Sequence, residues 1–325
     1  MLSPEEKTKF ERQGDMLANR VKKRFKHIAK RYQKQNLEVF RLYDWDIPEI
    51  RAAVDWYAGH LVIGEYMRRQ SVPEWLPMVG AAVAEALGVT SRKVHLKKRL
   101  AGKQGGKRYE RLDYTDRKIV VSERDLKFLV NPNDFVDTGL FSDHRNTRQM
   151  VRKMSNGKDF LNLYCYTATF SCYAAKGGAR STLSVDRSET AILWARENME
   201  LNGIPEETNR LVQAHTFDFL KKAKQSEKRF DLAVVDPPSF STTRARDHEF
   251  DVVRDHPRLL TETIEIMKPE GIVFFSTNHQ NFEIRVKQLK NAEIKEITER
   301  TIPEDYIRKR QPIHRCWRIM VGGGK

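Results

Sequence analysis

The segment Asp236-Pro237-Pro238-Ser239-Phe240 places an acid, two prolines and an aromatic ring side by side. It follows the apolar run Leu232–Val235, which predicts a buried strand that delivers Asp236 to its carboxyl end. The prolines cannot continue a strand ladder, so they stiffen the chain as it leaves the sheet and leave carbonyls free to accept hydrogen bonds. A rigid set of acceptors beside a flat ring suits a nucleobase. The candidate catalytic residues are therefore Asp236, Pro237, Pro238 and Phe240.

Acids also follow the neighbouring predicted strands, and the loop after the first of these strands contains no glycine. A loop that binds the phosphates of a dinucleotide or of ATP normally needs glycines. S-adenosylmethionine (SAM) has no phosphate, so its loop tolerates Ala168 where a glycine is usual. Asp186 can accept both ribose hydroxyls, and Asp218 can hold the adenine amino group. These positions predict a SAM-dependent methyltransferase with the following cofactor-binding residues: Asn162, Tyr164, Cys165, Tyr166, Thr167, Ala168, Asp186, Arg187, Ser188, Asp218 and Asp236.

Strands and helices alternate from about residue 150 onward, which predicts a doubly wound, Rossmann-like α/β sheet. The predicted strands of this sheet cover residues 160–166, 181–186, 210–215, 231–236 and 271–278, with late strands at 294–298 and 316–320. Shorter strands and one helix, at 74–87, precede it and predict a small α/β domain. We expect an N-terminal basic helix within residues 1–36, an accessory domain at 37–130 and a catalytic domain at 131–325.

The positive charge is concentrated near the N-terminus. Residues 1–130 hold 28 basic and 17 acidic residues, a net charge of +11, whereas the remaining 195 hold 31 and 27, a net charge of +4. The predicted helix at 16–35 has eight Lys or Arg residues between Arg20 and Lys34 and no acid there, which favours phosphate contacts. A glycine-rich basic loop follows a later strand. The predicted RNA-binding residues are Arg20, Lys22, Lys23, Lys26, Lys30, Lys97, Lys98, Arg99, Lys103, Lys107 and Arg108.

The three cysteines, Cys165, Cys172 and Cys316, lack metal-ligand spacing, and their odd number argues against a disulfide framework. We therefore expect no metal and a reducing, cytoplasmic location. No apolar run approaches the roughly 18 residues that a membrane span needs, and the N-terminus has no apolar core of a secretory signal.

Seven segments of the chain resemble the class I SAM-dependent methyltransferases. Within that class, they resemble the K half of the bacterial K/L large-subunit ribosomal RNA methyltransferases. The resemblance covers almost the whole chain, and its segments occur in the expected order. They are ANRVKKRFKHIAKRY, FRLYDWDIPE, VDTGLFSDHRNTR, FLNLYCYTATFS, DPPSF, FDVVRDH and RQPIHRCWRIM.

The resemblance implies methylation of guanine N7 in 23S ribosomal RNA or its large-subunit precursor. It also implies that residues 137–145 lie against the cofactor, with Phe141, Asp143 and Arg145 as contacts. The relatives carry a second module in front that makes N2-methylguanosine. This chain starts at the basic helix, so we expect that second activity to be absent. The relatives also keep a glycine where this chain has Ala168, and we expect cofactor binding to survive the added methyl group.

The residues alone leave the methylated atom open. Guanine N7 has a free lone pair and no proton to lose, so its methylation needs no general base. Methylation of cytosine C5 requires a cysteine nucleophile, and the fourth and fifth strands are followed by none. An acid followed by two prolines and an aromatic ring suits an exocyclic amine, as in N6-adenine or N2-guanine methylation, and the residues alone favour this alternative; only the family resemblance favours N7. An RNA-binding assembly protein with a decayed cofactor site is the non-enzymatic alternative.

Overall fold

A computed structural model of the chain describes residues 2–99, 111, 113–241, 249–285, 289, 291–308 and 311–322. The chain divides into two compact units, Met1–Thr138 and Gly139–Lys325. The sequence placed this boundary at residue 130. Residues 131–138 instead belong to the first unit, where the Asn131 N–H donates to the Thr138 carbonyl at 2.8 Å and Tyr57 Oη lies 2.9 Å from Thr138 Oγ1. No helix among the described residues is long and apolar enough to cross a membrane.

The first unit begins with a helix, α1 (Pro4–Lys34), that is longer than the predicted helix at 16–35. It starts at a capping box, in which Ser3 Oγ accepts from the Glu6 N–H and the Glu6 carboxylate accepts from the Ser3 N–H. Its apolar stripe packs against α2 (Trp75–Leu87), so α1 shares the hydrophobic core of the accessory unit instead of forming a separate domain. At the crossing, a Cβ on Gly14 would lie 3.2 Å from Ala82 Cβ.

A four-stranded sheet completes this core in the order β1-β2-β3-β4. Its strands are β1 (Val39–Asp44), β2 (Ala52–Tyr57), β3 (His60–Tyr66) and β4 (Val94–Arg99), with β3 and β4 parallel and the other neighbours antiparallel. A separate antiparallel pair follows, β5 (Ile119–Glu123) and β6 (Leu126–Val130). The helix predicted at 74–87 is confirmed as α2, which ends at Gly88 in the left-handed conformation.

The second unit is a doubly wound α/β sheet, which confirms the predicted fold class. Its seven strands lie in the order β14-β15-β13-β10-β7-β8-β9. They are β7 (Asp159–Leu163), β8 (Ser181–Asp186), β9 (Asn209–Gln213), β10 (Phe230–Val235), β13 (Met267–Thr277), β14 (Ala292–Glu296) and β15 (Arg315–Val321). Five of them are parallel, and β15 runs antiparallel to β13 and β14. The order reverses between β7 and β10, and ligands bind at such a switch point in open α/β sheets.

Helices cover both faces of this sheet, and a short β-hairpin leaves it beside the switch point. The hairpin pairs β11 (Phe240–Ser241) with β12 (Phe250–Asp251). The central strand β10 is buried on both faces, with Ala233 and Val235 in one hydrophobic cluster and Leu232 and Val234 in the other. The helices are α3 (Arg145–Met154), α4 (Thr169–Lys176), α5 (Glu189–Leu201), α6 (Thr216–Gln225), α7 (Val252–Ile264) and the short α8 (Thr298–Thr301).

Candidate active site

Asp236 leaves the sheet directly after β10, between the ends of β7 and β13. Val235 pairs with Leu163 on one side and with Phe275 on the other, so the Asp236 carboxylate lies beside the last residues of β13. There Ser276 Oγ donates to Asp236 Oδ1 at 2.6 Å. The side chain of Asp236 remains 25% exposed, so the carboxylate is partly accessible to a ligand.

The rest of the Asp-Pro-Pro-Ser-Phe segment turns away from the sheet into the hairpin. Pro237 is buried, and Pro238 and Phe240 are partly exposed. Ser239 Oγ donates to Asn278 Oδ1 at 2.7 Å, and the Phe240 ring meets His279 edge to face at 5.8 Å. The segment is therefore anchored to the end of β13 while Phe240 keeps part of its ring accessible.

Two buried histidines that were not among the predicted site residues lie behind Asp236. His144 Nε2 is 3.7 Å from Asp236 Oδ2 and 3.8 Å from Asp143 Oδ2. The His144 ring stacks on the His314 ring at 4.1 Å with an angle of 11° between the planes. Burial, and next the charge of His314, lower the pKa of His144 to about 4, so His144 is neutral at physiological pH.

His314 has a hydrogen-bond partner at each ring nitrogen. Its Nδ1 lies 2.9 Å from Asp143 Oδ2, and its Nε2 lies 3.0 Å from Thr301 Oγ1. The Thr301 hydroxyl also donates to the Thr298 carbonyl at 2.7 Å. Both nitrogens of His314 are thus held by hydrogen bonds, one of them to the Asp143 carboxylate.

The ligand atoms of Asp143, His144 and His314 all lie within 4.8 Å of one another, a spacing compatible with a shared metal ion. The ring geometry opposes that use. An imidazole binds a metal through a lone pair in the ring plane, and two nearly parallel rings direct their lone pairs side by side. The cluster is better described as a hydrogen-bonded His314–Asp143 pair with a second imidazole stacked on it.

On the other side of β7, the carboxylate of Asp186 is oriented by the backbone. The Tyr166 N–H donates to Oδ2 at 3.0 Å and the Ser188 N–H donates to Oδ1 at 2.9 Å. Burial raises the pKa of Asp186 above its ordinary value. Each oxygen keeps a further lone pair, so the carboxylate can accept from two hydroxyl groups at once. This geometry matches the ribose contact that the sequence predicted, which stays a prediction.

The loop after β7 has an unusual backbone, because Tyr164, Tyr166 and Ala168 alternate through the left-handed region with φ values of 57°, 48° and 57°. Such conformations are strained for residues other than glycine. Ala168 is fully buried immediately before α4, so the structure accommodates the methyl group that a glycine would lack. Its backbone nevertheless keeps the strained left-handed φ. The glycine that the relatives keep at this position would therefore relieve backbone strain more than steric crowding.

Two aromatic rings pack against Tyr166, whose N–H donates to the Asp186 carboxylate. Tyr166 packs against Phe141 at 5.4 Å and against Trp194 at 6.1 Å. Gly139 lies against the same tryptophan, since a Cβ at this position would come within 2.3 Å of Trp194 Cζ2. Phe141 and Tyr166 are both partly exposed, so they can offer ring faces to a planar ligand.

Several predicted cofactor residues have their polar atoms turned into the protein. The Arg145 guanidinium forms a buried ion pair with Asp305, and the Asp143 carboxylate is paired with His314. Thr167 Oγ1 donates to the Gly139 carbonyl at 2.6 Å, and Asn162 Nδ2 donates to Ser171 Oγ at 2.9 Å. These side chains support the site from inside, and we do not retain them as direct cofactor contacts.

The remaining predicted cofactor residues fall into two groups. Tyr164 packs against Phe250 at 5.6 Å, and Cys165 is buried beneath the loop. Arg187 and Asp218 are exposed, the latter in the first turn of α6. Tyr164 and Cys165 shape the sheet edge, whereas Arg187 and Asp218 are accessible to a ligand.

The predicted RNA-binding residues also separate by exposure. All five predicted residues of α1 are exposed, and one of them, Arg20, pairs with Asp46. On β4, Lys98 is exposed and Arg99 is partly exposed, but Lys97 is 2% exposed and donates to two backbone carbonyls, so it cannot contact RNA as predicted. The five predicted residues of α1 are Arg20, Lys22, Lys23, Lys26 and Lys30. The predicted residues Lys103, Lys107 and Arg108 lie outside the described residues.

Comparison with known proteins agrees with this arrangement. The sequence profile of the S-adenosylmethionine-dependent methyltransferase family matches residues 52–284. Ribosomal RNA large subunit methyltransferase K of Neisseria meningitidis is 39% identical over 307 residues, which cover 93% of this chain and 86% of that protein. Methyltransferase K/L of Vibrio cholerae is 40% identical over 309 residues, which cover 93% of this chain and 43% of that protein. The chain thus spans less than half the length of this K/L relative.

Solved structures show the same fold at lower identity. A structure described as a SAM-dependent methyltransferase from Streptococcus mutans superposes with a TM-score of 0.77 at 22% identity, covering 96% of this chain and 81% of that one. A methyltransferase solved in complex with S-adenosylhomocysteine superposes with a TM-score of 0.76 at 22% identity, covering 96% and 82%. The chain therefore belongs to the SAM-dependent methyltransferase family and, within it, to the family of the ribosomal RNA large subunit methyltransferase K.

Proposed function

We propose that this protein transfers a methyl group from SAM to N7 of a guanine in large-subunit ribosomal RNA. The observation that carries the proposal is the Asp236 carboxylate at the switch point of the sheet, with Ser276 donating to one oxygen and the side chain 25% exposed. Family membership supports ribosomal RNA as the substrate, and the choice of N7 rests on the family resemblance together with the chemistry of the site.

The residues around Asp186 suit SAM as the cofactor. The backbone-oriented carboxylate would accept the two ribose hydroxyls, and the rings of Phe141 and Tyr166 would flank the adenine. The loop at residues 164–168 has no glycine to accommodate phosphates, and SAM needs none. When bound there, SAM supplies an electrophilic methyl group on a sulfonium sulfur.

The neighbours of Asp236 suit a reaction that needs no proton acceptor. A general base works best when its pKa lies near the working pH, and the pKa of about 4 makes His144 a poor one. The three cysteines are buried, and burial raises the pKa of each thiol, so none supplies a thiolate nucleophile. Direct transfer to a lone pair, such as that of guanine N7, fits these groups.

The local charge also suits a cationic product. The carboxylate of Asp143 is hydrogen-bonded to His314, and His144 is neutral because its pKa lies at about 4. The carboxylate of Asp236 supplies a negative charge at the accessible side of the cluster. A 7-methylguanine carries a positive charge that such a carboxylate stabilises as the charge develops. Holding the base in line with the methyl donor would contribute roughly 7–11 kcal/mol in favourable cases.

The target guanine must also reach the site. Bases in helical RNA are stacked, so we expect local opening or flipping of the target nucleotide, with the partly exposed ring of Phe240 receiving the base. The exposed lysines of α1 would hold the flanking phosphates, which predicts affinity that falls steeply with salt.

The test is to incubate the protein with isotopically labelled SAM and unmodified bacterial large-subunit ribosomal RNA, and to identify the labelled nucleoside by mass spectrometry. We expect 7-methylguanosine. Labelled N6-methyladenosine or N2-methylguanosine would overturn the N7 proposal in favour of amine methylation. Absence of SAM binding in a calorimetric titration would overturn the enzymatic proposal and favour an RNA-binding assembly protein.

A further inference from the structure

We propose that His144 is a positioning residue for methyl transfer: its Nε2–H holds Oδ2 of Asp236, and the buried His314–Asp143 pair holds the His144 ring. This inference rests on the proposed role of Asp236 in binding the target base. It does not depend on which atom of that base is methylated.

The tautomer of His144 follows from its surroundings. Nε2 faces two carboxylate oxygens, at 3.7 Å on Asp236 and 3.8 Å on Asp143. A lone pair at Nε2 would be repelled by both, whereas an N–H is attracted by both, so the single proton of the neutral ring belongs on Nε2. Nδ1 is buried and has no hydrogen-bond partner in the structure, which leaves nothing on that side to draw the proton away.

Between the two carboxylates, Asp236 is the one that needs this donor. Asp143 is already hydrogen-bonded to His314, whereas among the described residues Asp236 Oδ2 has no hydrogen-bond donor closer than His144 Nε2 at 3.7 Å. Closing that approach to an ordinary hydrogen bond of about 2.9 Å requires a shift of less than about 1 Å. The Asp236 side chain is 25% exposed and can make this shift, and such bonds commonly tighten when the substrate binds.

The residues packed around His144 hold its ring in place. Its face stacks on the ring of His314, and the Phe170 ring meets it edge to face at 5.7 Å. Thr301 and Asp143 fix both nitrogens of His314, so the supporting ring cannot rotate. His144 is itself 5% exposed, and its position is therefore determined by packing on both faces. Ser276 on Oδ1 and His144 on Oδ2 together would fix the orientation of the Asp236 carboxylate.

The experiment compares H144Q, H144N and H144A in single-turnover methyl transfer to ribosomal RNA. The amide nitrogen of glutamine reaches the position of Nε2, whereas that of asparagine reaches only the position of Nδ1. We expect H144Q to keep the rate within about 3-fold of wild type and H144N and H144A to lose about 10- to 100-fold. SAM affinity, measured by calorimetry, should change less than about 3-fold in every variant, since His144 does not face Asp186.

The matched control is H256Q. His256 is fully buried in the same unit, where Nδ1 lies 2.8 Å from the Val252 carbonyl and Nε2 accepts from the Arg285 N–H at 3.0 Å. We expect H256Q to lower thermal stability without changing the single-turnover rate. The proposal is overturned if H144Q and H144N lose the same activity, or if rates across all variants simply follow thermal stability.

A measurement on the wild-type protein keeps the proposal testable even if the variants fold poorly. Long-range proton–nitrogen NMR spectra distinguish the two neutral tautomers and the charged form for each of the nine histidines. We expect the assigned ring of His144 to be in the neutral Nε2–H form at pH 7. A neutral Nδ1–H form of that ring would overturn the proposal. If wild type methylates a different atom while the H144Q and H144N rates differ as expected, only the N7 proposal fails.

Discussion

Ser276 Oγ and Asp236 Oδ1 are joined by a 2.6 Å hydrogen bond that links the end of β13 to the first residue after β10. Hydrogen bonds to ionised groups are stronger than neutral ones, so Ser276 restrains the carboxylate that we assign to the target base. We expect S276A to lower kcat about 10-fold with SAM affinity unchanged, measured by steady-state kinetics and calorimetry.

The control for this change is S226A, which removes a serine hydroxyl at the end of α6 that donates to the Ala223 carbonyl at 3.1 Å. S226A should leave kcat unchanged. Equal kcat values for S276A, S226A and wild type would show that Ser276 does not restrain the reacting geometry.

Asp186 should govern cofactor affinity, because its two oxygens are held in place by the N–H groups of Tyr166 and Ser188. We expect D186N to weaken SAM binding about 100-fold in calorimetry, since it replaces a charged double acceptor. E189Q, which neutralises an exposed acid in the first turn of α5, is the matched control and should bind SAM like wild type.

The affinity of wild type should also depend on pH through the same group. Burial raises the pKa of Asp186, so this carboxyl takes up a proton at a higher pH than an exposed aspartate with its ordinary pKa near 4. Only the ionised form accepts from both hydroxyls, so SAM affinity should fall as the pH drops through the raised pKa. D186N should lack this decline. A parallel decline in both proteins would assign it to another group.

Gly139 is required by the ring of Trp194, because a Cβ there would lie 2.3 Å from Cζ2, and because its φ is +101°. We expect G139A to lower the free energy of unfolding by about 2–4 kcal/mol, from combined overpacking and backbone strain. In urea unfolding, G203A is the control, since Gly203 has a φ of +60° and open space around it. It should cost only about 1 kcal/mol. Equal losses would mean that Trp194 moves away without cost.

Much of the fold follows from local patterns in the chain. The strand predicted at 181–186 is β8 with the same bounds, and the apolar run before Asp236 is the buried part of β10. The first helix was predicted too short at its N-terminus, because Gln13 and Gly14 interrupt the apolar stripe. Both face α2, where Gln13 Oε1 accepts from Trp75 Nε1 at 2.7 Å, so they are buried by tertiary packing that no local pattern reveals.

The sequence predicted the site residues that lie at strand ends, but not those that come together from segments far apart in the chain. Asp186 and Asp236 lie at strand ends, and the alternation of strands and helices placed both at one edge of the sheet. His144 and His314 are 170 residues apart in sequence, and no local motif around either residue predicts that their rings stack. Arg145 was expected to contact the cofactor, but its partner Asp305 comes from a short helical turn, Glu304–Tyr306, that the sequence did not mark.

Ala168 offers a test of the strained cofactor loop. Its φ of 57° is left-handed, and glycine adopts this conformation without the steric cost of a Cβ. We expect A168G to raise the free energy of unfolding by about 0.5–1 kcal/mol in urea, with SAM affinity retained. A175G, inside α4, is the matched control and should lower stability by about 0.5–1 kcal/mol. A loss of stability in both variants would show that the methyl group of Ala168 contributes more by packing than its backbone costs.

The exposed lysines of α1 should set the salt dependence of RNA binding. Lys22, Lys26 and Lys30 recur every four residues, so they share one face of the helix. Each phosphate contact that is lost reduces the slope of log affinity against log salt by about 0.7–0.9. We therefore expect the variant K22A/K26A/K30A to reduce that slope by roughly 2–3, measured by fluorescence anisotropy with a ribosomal RNA fragment. The control K176A/K221A/K222A removes the same charge from exposed positions of the second unit and should leave the slope within about 1 of wild type. If both triple variants reduce the slope equally, the RNA responds to net charge alone, and α1 is not its binding face.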